Sequence, residues 1–428
     1  MAAVTLPVTA AALREWVERA TEGRVLAWEA LAIGNSRATF AATLERDGEP
    51  LELIVRHDAG GGPVAGTELT LEREAGVYRA LAGRDIPIPR AIATSREVAA
   101  VAVERIAGTP QAASTVLDEL LSILARLHGL APAKLELPGF AGHAAADLDL
   151  WERIAGTKLA ERDELVDIAF AILRERFPGE PPRIVLCHGD YGEGNFLVEG
   201  GRVSGLLDWE FAHVGDPHDD LAWLTVRAAL FGRSLPGFAR AAREVYAPAS
   251  GVDLSPARLR FWQAAVILRN LICCLAVAAA PDPCDRSVHL MLIPGLRYRL
   301  VRMLAELCEV ELDAEPPADP GGPPDGRRAE IGDALLRELA SGLAELAAEI
   351  PDAEPRRRAR RLSRMAAQFA ESWRAAAAAG DLNEADRART GPGRAELLRR
   401  LGRTTARELA LLPRSSPIAD AAVADLEE

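Results

Sequence analysis

The sequence predicts an α+β chain: a small antiparallel β lobe, then a helical lobe, then a C-terminal all-α module. Three observations carry this. Short strand-like runs separated by turn residues crowd the N-terminal quarter. Helical periodicity dominates from Ser114 onward. Residues 313–326 (DAEPPADPGGPPDG) are so rich in Pro, Gly and Asp that they read as a linker. The expected segments are therefore 1–108, 109–312, the linker 313–326, and 327–428. At 428 residues the chain exceeds one ordinary domain, and 49% apolar residues suffice for sizeable cores.

Each element has its own signal. An opening helix over 9–22 places Leu13, Trp16, Val17 and Ala20 on one face, with Gly23 as its stop. Strand-like runs follow at 30–33, 39–44 and 51–56, the last two joined by an Asp47-Gly48 hairpin turn. The Gly-rich stretch 59–66 reads as a mobile loop. A helix over 68–81 presents Leu71, Ala75 and Tyr78, and strands at 91–94 and 99–105 lead into Gly108. Helices are expected at 116–130, 148–177, 219–231, 236–246, 256–279 and 288–310. A strand pair bearing Asp190 and Asp208 interrupts them. Beyond the linker, amphipathic helices are expected at 328–349, 356–379 and 394–411, and Leu362, Met365, Phe369 and Trp373 form one stripe. No internal repeat is present.

Composition narrows the partners. A net charge of −13 argues against nucleic acid. Residues 327–428 carry 18 Arg against 17 acidic side chains, so the acidic surplus lies in the preceding body. The apolar run 271–280 is about half of the ~20 residues a membrane span needs and reads as a buried helix. No basic segment leads into an apolar run at the N-terminus, so no export signal is expected. Five cysteines without paired metal spacing fit a reducing cytoplasm. Only Lys134 and Lys158 are lysines; any role that a lysine fills in the N-terminal lobe must here fall to Arg.

Residues 184–209 (IVLCHGDYGEGNFLVEGGRVSGLLDW) concentrate the chemistry. One apolar run ends at His188-Gly189-Asp190, Asn195 follows, and a second apolar run delivers Asp208. Two carboxylates and an amide so spaced suit one metal-bound phosphate. Cys187-His188 is not a nucleophile–base pair, because neighbours on a strand point to opposite faces. His213, Asp216, His218, Asp219 and Asp220 would serve a transition-metal cluster. More economically, Asp216-Pro217-x-Asp219 starts a helix, with Asp216 as N-cap and Asp220 left to brace the loop.

HGDYGEGN resembles the HGDxxxxN catalytic loop of the aminoglycoside phosphotransferase family, and LLDWEFAHVGDPHDDLAWL its metal-binding strand and following helix. LARLHGL (124–130) is similar to the helix ahead of that loop. The resemblance covers roughly 5–310 and implies a bilobal protein-kinase-like fold. It also implies an ATP (or GTP)-dependent phosphotransferase acting on a small-molecule hydroxyl. By it, Asp190 is the catalytic base, His188 buttresses the loop, and Asn195 and Asp208 hold Mg2+. Arg56, ending the third strand, takes the phosphate-clamping role of the usual lysine, with Glu74 in the next helix as its partner. Kinase-like domains attached to acyl-CoA dehydrogenases resemble this chain in carrying Arg there. Gly34 and Ser36 stand where the family has its glycine loop, and Glu104 to Ile106 would be the adenine hinge. Trp151, Trp223 and Trp262 are candidates to line an apolar acceptor pocket, and acidic residues of the helical lobe to hold an amine. An alternative reading is a nucleotide-binding regulatory protein with little turnover. The C-terminal helices suit a homodimer or a protein partner.

Overall fold

The computed structural model describes residues 8–31, 37–137, 139–140, 142–159, 163–279, 286–312, 398, 399 and 401. The chain divides into two compact units, one running to Arg286 and the other from Ser287 to Ala424.

The first unit opens on α1 (Ala10–Thr21), capped by the Thr9 hydroxyl, which accepts from the Ala12 amide at 3.2 Å. Its stop is Glu22, left-handed at φ 55, rather than Gly23. Gly23 instead sits in a tight place: a Cβ there would lie 3.1 Å from the Glu45 carbonyl oxygen. Strands β1 (Arg24–Leu31), β2 (Ala38–Arg46), β3 (Glu49–His57), β4 (Ala91–Ser95) and β5 (Ala100–Glu104) form one antiparallel sheet in the order β1-β2-β3-β5-β4. The first strand begins earlier than its apolar run suggests, and a bulge between Val25 and Ala27 masks its alternation. Asp47 and Gly48 make the expected turn, both with positive φ.

Strand alternation then sorts the lobe. Leu13, Trp16 and Val17 of α1 pack on Ala42, Leu44, Leu53, Val55, Ala100 and Ala102. That burial commits the odd-numbered positions of β3 to α1, so Ile54 and Arg56 face the other way. Helix α2 (Leu71–Leu81), N-capped by Thr70, lies on that second side. In the stretch 59–66, residues 62–65 are buried while 59–61 and 66 are exposed, and the Ala65 carbonyl accepts from Lys158 Nζ at 2.9 Å. Arg73 of α2 donates to the carbonyls of Gly139 and Ala212, both at 2.9 Å, stitching the two lobes of this unit together.

The helical lobe holds α3 (Leu117–Gly129), α4 (Ala145–Lys158), α5 (Glu164–Glu175), α6 (His218–Leu230), α7 (Phe238–Ala241), α8 (Ala247–Ser250) and α9 (Pro256–Ala279). A π-helical turn, Ala242–Tyr246, joins α7 to α8. The single helix expected over 148–177 is two, because Asp163 caps a new start by accepting from Leu165 and Val166. The expected strand pair is also re-partnered. Strand β6 (Val185–Cys187) pairs with β9 (His213–Gly215), while β7 (Phe196–Glu199) pairs with β8 (Arg202–Leu206). Helix α9 is, among the described residues, long and apolar enough to cross a membrane, yet 78% of its apolar window is buried inside the protein.

The acids and histidines at 213–220 form a buried ion network. Arg269 of α9 meets Asp147 of α4 at 2.5 Å and Asp219 of α6 at 2.9 Å. His213 Nε2 lies 2.9 Å from the same Asp219, and its Nδ1 donates to the Phe211 carbonyl. Asp147, His213 and Asp219 are close enough to hold a metal ion, but the Arg269 guanidinium already supplies the cation between the carboxylates. Asp216 is a turn cap, accepting from the His218 amide at 2.9 Å, and pairs with Arg258 at 2.7 Å. Burial works to lower the His213 imidazolium, but Asp147 and Asp219 outweigh it and raise its pKa to about 9. Stability drawn from that charge is therefore fully present below the unfolded histidine value near 6.5 and is lost as pH rises through about 9. The expected thermal midpoint declines across that window. His213→Gln should flatten the decline, measured by calorimetry at a series of pH values.

In the second unit, α10 (Arg286–Leu307) buries Leu296, Leu300 and Leu304 at helical spacing. Leu398, Arg399 and Leu401 are helical, and Arg399 Nε donates to the Glu311 carbonyl at 3.4 Å. The rest of the expected linker and C-terminal helices lies outside the described residues.

Candidate active site

Strand β6 delivers His188-Gly189-Asp190 into a loop held from one side by α6. The Asp220 carboxylate accepts from the amides of His188 at 2.8 Å and Gly189 at 2.9 Å, and meets His128 Nε2 at 3.1 Å. Gly189 has φ +79, and a Cβ there would sit 2.0 Å from the Phe211 carbonyl oxygen. Only glycine fits that crossing. Burial lowers the His188 pKa to about 4, so its ring is neutral. Nε2 donates to the Leu207 carbonyl at 3.0 Å, and Nδ1 accepts from the Asp190 amide at 3.3 Å, which fixes the tautomer. His188 thus joins the loop carrying Asp190 to the segment after β8 that carries Asp208.

Asp190 is gripped at both oxygens. Asn195 Nδ2 donates to Oδ2 at 2.6 Å and to the Asp190 carbonyl at 2.9 Å, while the Arg227 guanidinium of α6 binds Oδ1. Burial pushes the Asp190 carboxyl up to about 6 against the pull of Arg227. The Asn195 backbone carbonyl accepts from the Leu207 amide at 2.8 Å, one residue ahead of Asp208. Asp208 itself is left-handed at φ 63, a rare state for a non-glycine residue.

Arg56 reaches across from the sheet. Its Nη1 pairs with the buried Glu74 carboxylate, and its Nη2 binds Asp208 Oδ1 at 2.8 Å. Tyr78 donates to Glu74 at 2.9 Å. Burial raises Glu74 above the usual carboxylate range; at Asp208 the same burial is overcome by Arg56, which holds it below. Glu210 is pushed up to about 8 by burial and by the Asp208 charge beside it. The buried Arg37 guanidinium lies 2.8 Å from Asp58 and 3.7 Å from Glu210.

Six residues named from the sequence, His188, Asp190, Asn195, Asp208, Arg56 and Glu74, are therefore linked in one cluster. Glu104 and Ile106 make other contacts: Glu104 ends β5 with its side chain on Arg90, and Ile106 packs over Gly205 of β8. Gly34 and Ser36 lie outside the described residues. Trp151, Trp223 and Trp262 are buried in the core and do not line a pocket. The helical-lobe acids Asp147, Asp216 and Asp219 are likewise buried and paired rather than offered to an amine. Arg227, Glu193, Arg37 and Glu210 were not singled out from the sequence. A signal existed for Arg227, which stands seven residues after Asp220 and so on the same face of α6.

The donor set suits a hard cation: carboxylates of Asp208 and Glu210 and the Asn195 side-chain oxygen, whose amide nitrogen is committed to Asp190. Buried Glu210 Oε2 has no hydrogen-bond partner and lies 3.7 Å from the Arg37 guanidinium.

Comparison with known proteins follows the same lines. The chain is 26% identical over 216 residues to acyl-CoA dehydrogenase family member 11 of Gallus gallus, 45% of this chain but 27% of that protein. It thus spans about a quarter of that relative's length. Choline kinase LicA from Streptococcus pneumoniae superposes with TM-score 0.53 at 15% identity, over 69% of this chain and 98% of that one. Macrolide 2'-phosphotransferase MphH from Brachybacterium faecium gives TM-score 0.46 at 21% identity, over 64% and 99%. The phosphotransferase enzyme family model (APH) matches residues 27–262, more than half of the sequence, and the chain belongs to that family.

Proposed function

We propose that this protein transfers the terminal phosphoryl group of ATP (or GTP) to a hydroxyl of a small molecule. The observation that carries the reading is the continuous contact from Arg56 through Asp208 to the loop holding Asn195 and Asp190. Asp190 Oδ2 orients the acceptor hydroxyl and receives its proton. The acceptor oxygen bonds to the terminal phosphorus as the bridging P–O bond breaks, and the electron pair leaves with the nucleoside diphosphate. In a loose transition state the proton departs late, so a weak base suffices. Asn195 and Asp208, with Glu210 adjacent, would hold Mg2+, which neutralises phosphate charge when bound. Arg56, fixed by Glu74, clamps phosphate oxygens, while the backbone from Glu104 to Ile106 borders adenine. The nucleotide lobe is 1–108 and the helical lobe begins at 109, and the described cysteines are free thiols, which supports a cytoplasmic setting.

The test is release of nucleoside diphosphate in the presence of pooled hydroxyl metabolites, with the phosphorylated product identified by mass. No product from any pool, despite nucleotide binding, would count against the reading. For the clamp, Arg56→Met is expected to weaken nucleotide binding about tenfold to a hundredfold, the worth of a charge-assisted contact. Titrated melting shifts measure it.

A further inference from the structure

We propose that Arg227 is the positioning residue for Asp190: it stays on one carboxylate oxygen and leaves the other to face the acceptor. The inference rests on the function proposed above, but its first test does not need an acceptor.

The guanidinium makes two contacts of different kinds. Nη1 binds Asp190 Oδ1, and Nε donates to the Glu193 backbone carbonyl at 2.6 Å, three residues further along the same loop. A planar fork that spans both atoms fixes the direction of the carboxylate as well as its charge. Three details of the surroundings are built around it. Gly194 has φ +91, and a Cβ there would lie 2.8 Å from Arg227 Nη2, so the loop leaves room for the group. The buried Glu193 carboxylate is held by Arg233, which anchors the carbonyl that Arg227 uses. The Phe231 ring lies 5.8 Å from the Arg227 guanidinium carbon.

The two grips on Asp190 are unequal in consequence. Asn195 donates to Oδ2 through its amide nitrogen, which leaves a lone pair of that oxygen for the acceptor hydroxyl and, in the proposed function, the Asn195 side-chain oxygen for the cation. Arg227 has no such second duty and remains on Oδ1 throughout. The proton of the acceptor hydroxyl thus goes to Oδ2, while Oδ1 stays paired. A lysine at 227 supplies charge from one point and cannot span Asp190 and Glu193 together.

The structural arm is a double-mutant cycle in thermal stability. Arg227→Met strands a buried carboxylate and is expected to lower the melting midpoint by at least about 5 °C. Adding Asp190→Asn should recover most of the loss, because the stranded charge is gone. Equal and additive effects would overturn the pairing. The kinetic arm uses whichever acceptor the metabolite pools identify. Both Arg227→Lys and Arg227→Ala should lower kcat about tenfold to a hundredfold with the nucleotide KM within twofold. Added guanidinium should restore part of the activity of Arg227→Ala and none of Asp190→Asn. A nucleotide KM that rises in step with the loss of kcat, or full activity in Arg227→Lys, refutes the positioning role. If Arg227 variants stay active while Asp190→Asn is dead, only this inference fails; if Asp190→Asn is also fully active, the proposed function fails with it.

Discussion

Asp190→Asn is expected to lower phosphoryl transfer about 10²- to 10⁴-fold while leaving the fold intact. The replacement keeps the shape of the side chain but removes its charge and its ability to take a proton, and its amide nitrogen then faces a donor, Arg227 or Asn195. Burial already opposes the carboxylate, raising its pKa to about 6, so loss of the charge is structurally tolerable. Asn195 and the amides held by Asp220 keep the loop in place. The measurement is single-turnover transfer from labelled nucleotide, paired with a melting curve. Nucleotide binding should persist, since Arg56 and Asp208 are untouched. Transfer equal to that of the unaltered protein would remove Asp190 from the chemistry altogether.

Arg269→Met should have the largest effect on stability, about 3–5 kcal/mol. The guanidinium is 2% exposed and lies between two carboxylates that are no more exposed than it is. Methionine fills the space, but it leaves Asp147 and Asp219 facing each other without their main cation. His213 alone cannot neutralise both. The midpoint of urea unfolding reports the loss, and adding Asp147→Asn should return part of it. A loss below about 1 kcal/mol would mean the network is hydrated and worth little.

How much of this was legible in the sequence differs by the range of the interaction. Local signals read well. The Asp47-Gly48 turn, the opening helix and the order of lobes depend on neighbours along the chain, and they stand where the residues indicated. Pairing over distance read poorly: β6 takes β9 across the whole of the β7–β8 hairpin. The helix expected over 148–177 also hid its break, because apolar periodicity resumes at once after Asp163. At the site, the motif residues were visible as a spaced set. Arg37 was not, because it acts through packing on Glu210, far away in sequence, and Arg227 could be read only from its place on the face of α6 that carries Asp220. The tryptophans misled for a related reason: a large apolar ring signals burial, and only the fold decides whether core or pocket receives it.

The grip of Asp220 on the amides of His188 and Gly189 has a thermodynamic consequence. A stretch with glycines at 189, 192 and 194 would otherwise sample many backbone states, each residue giving up about 1–2 kcal/mol of entropy when fixed. Folding itself settles that disorder by hanging the segment from α6. An arriving acceptor then meets groups already oriented, and its binding free energy need not be diverted to arranging them.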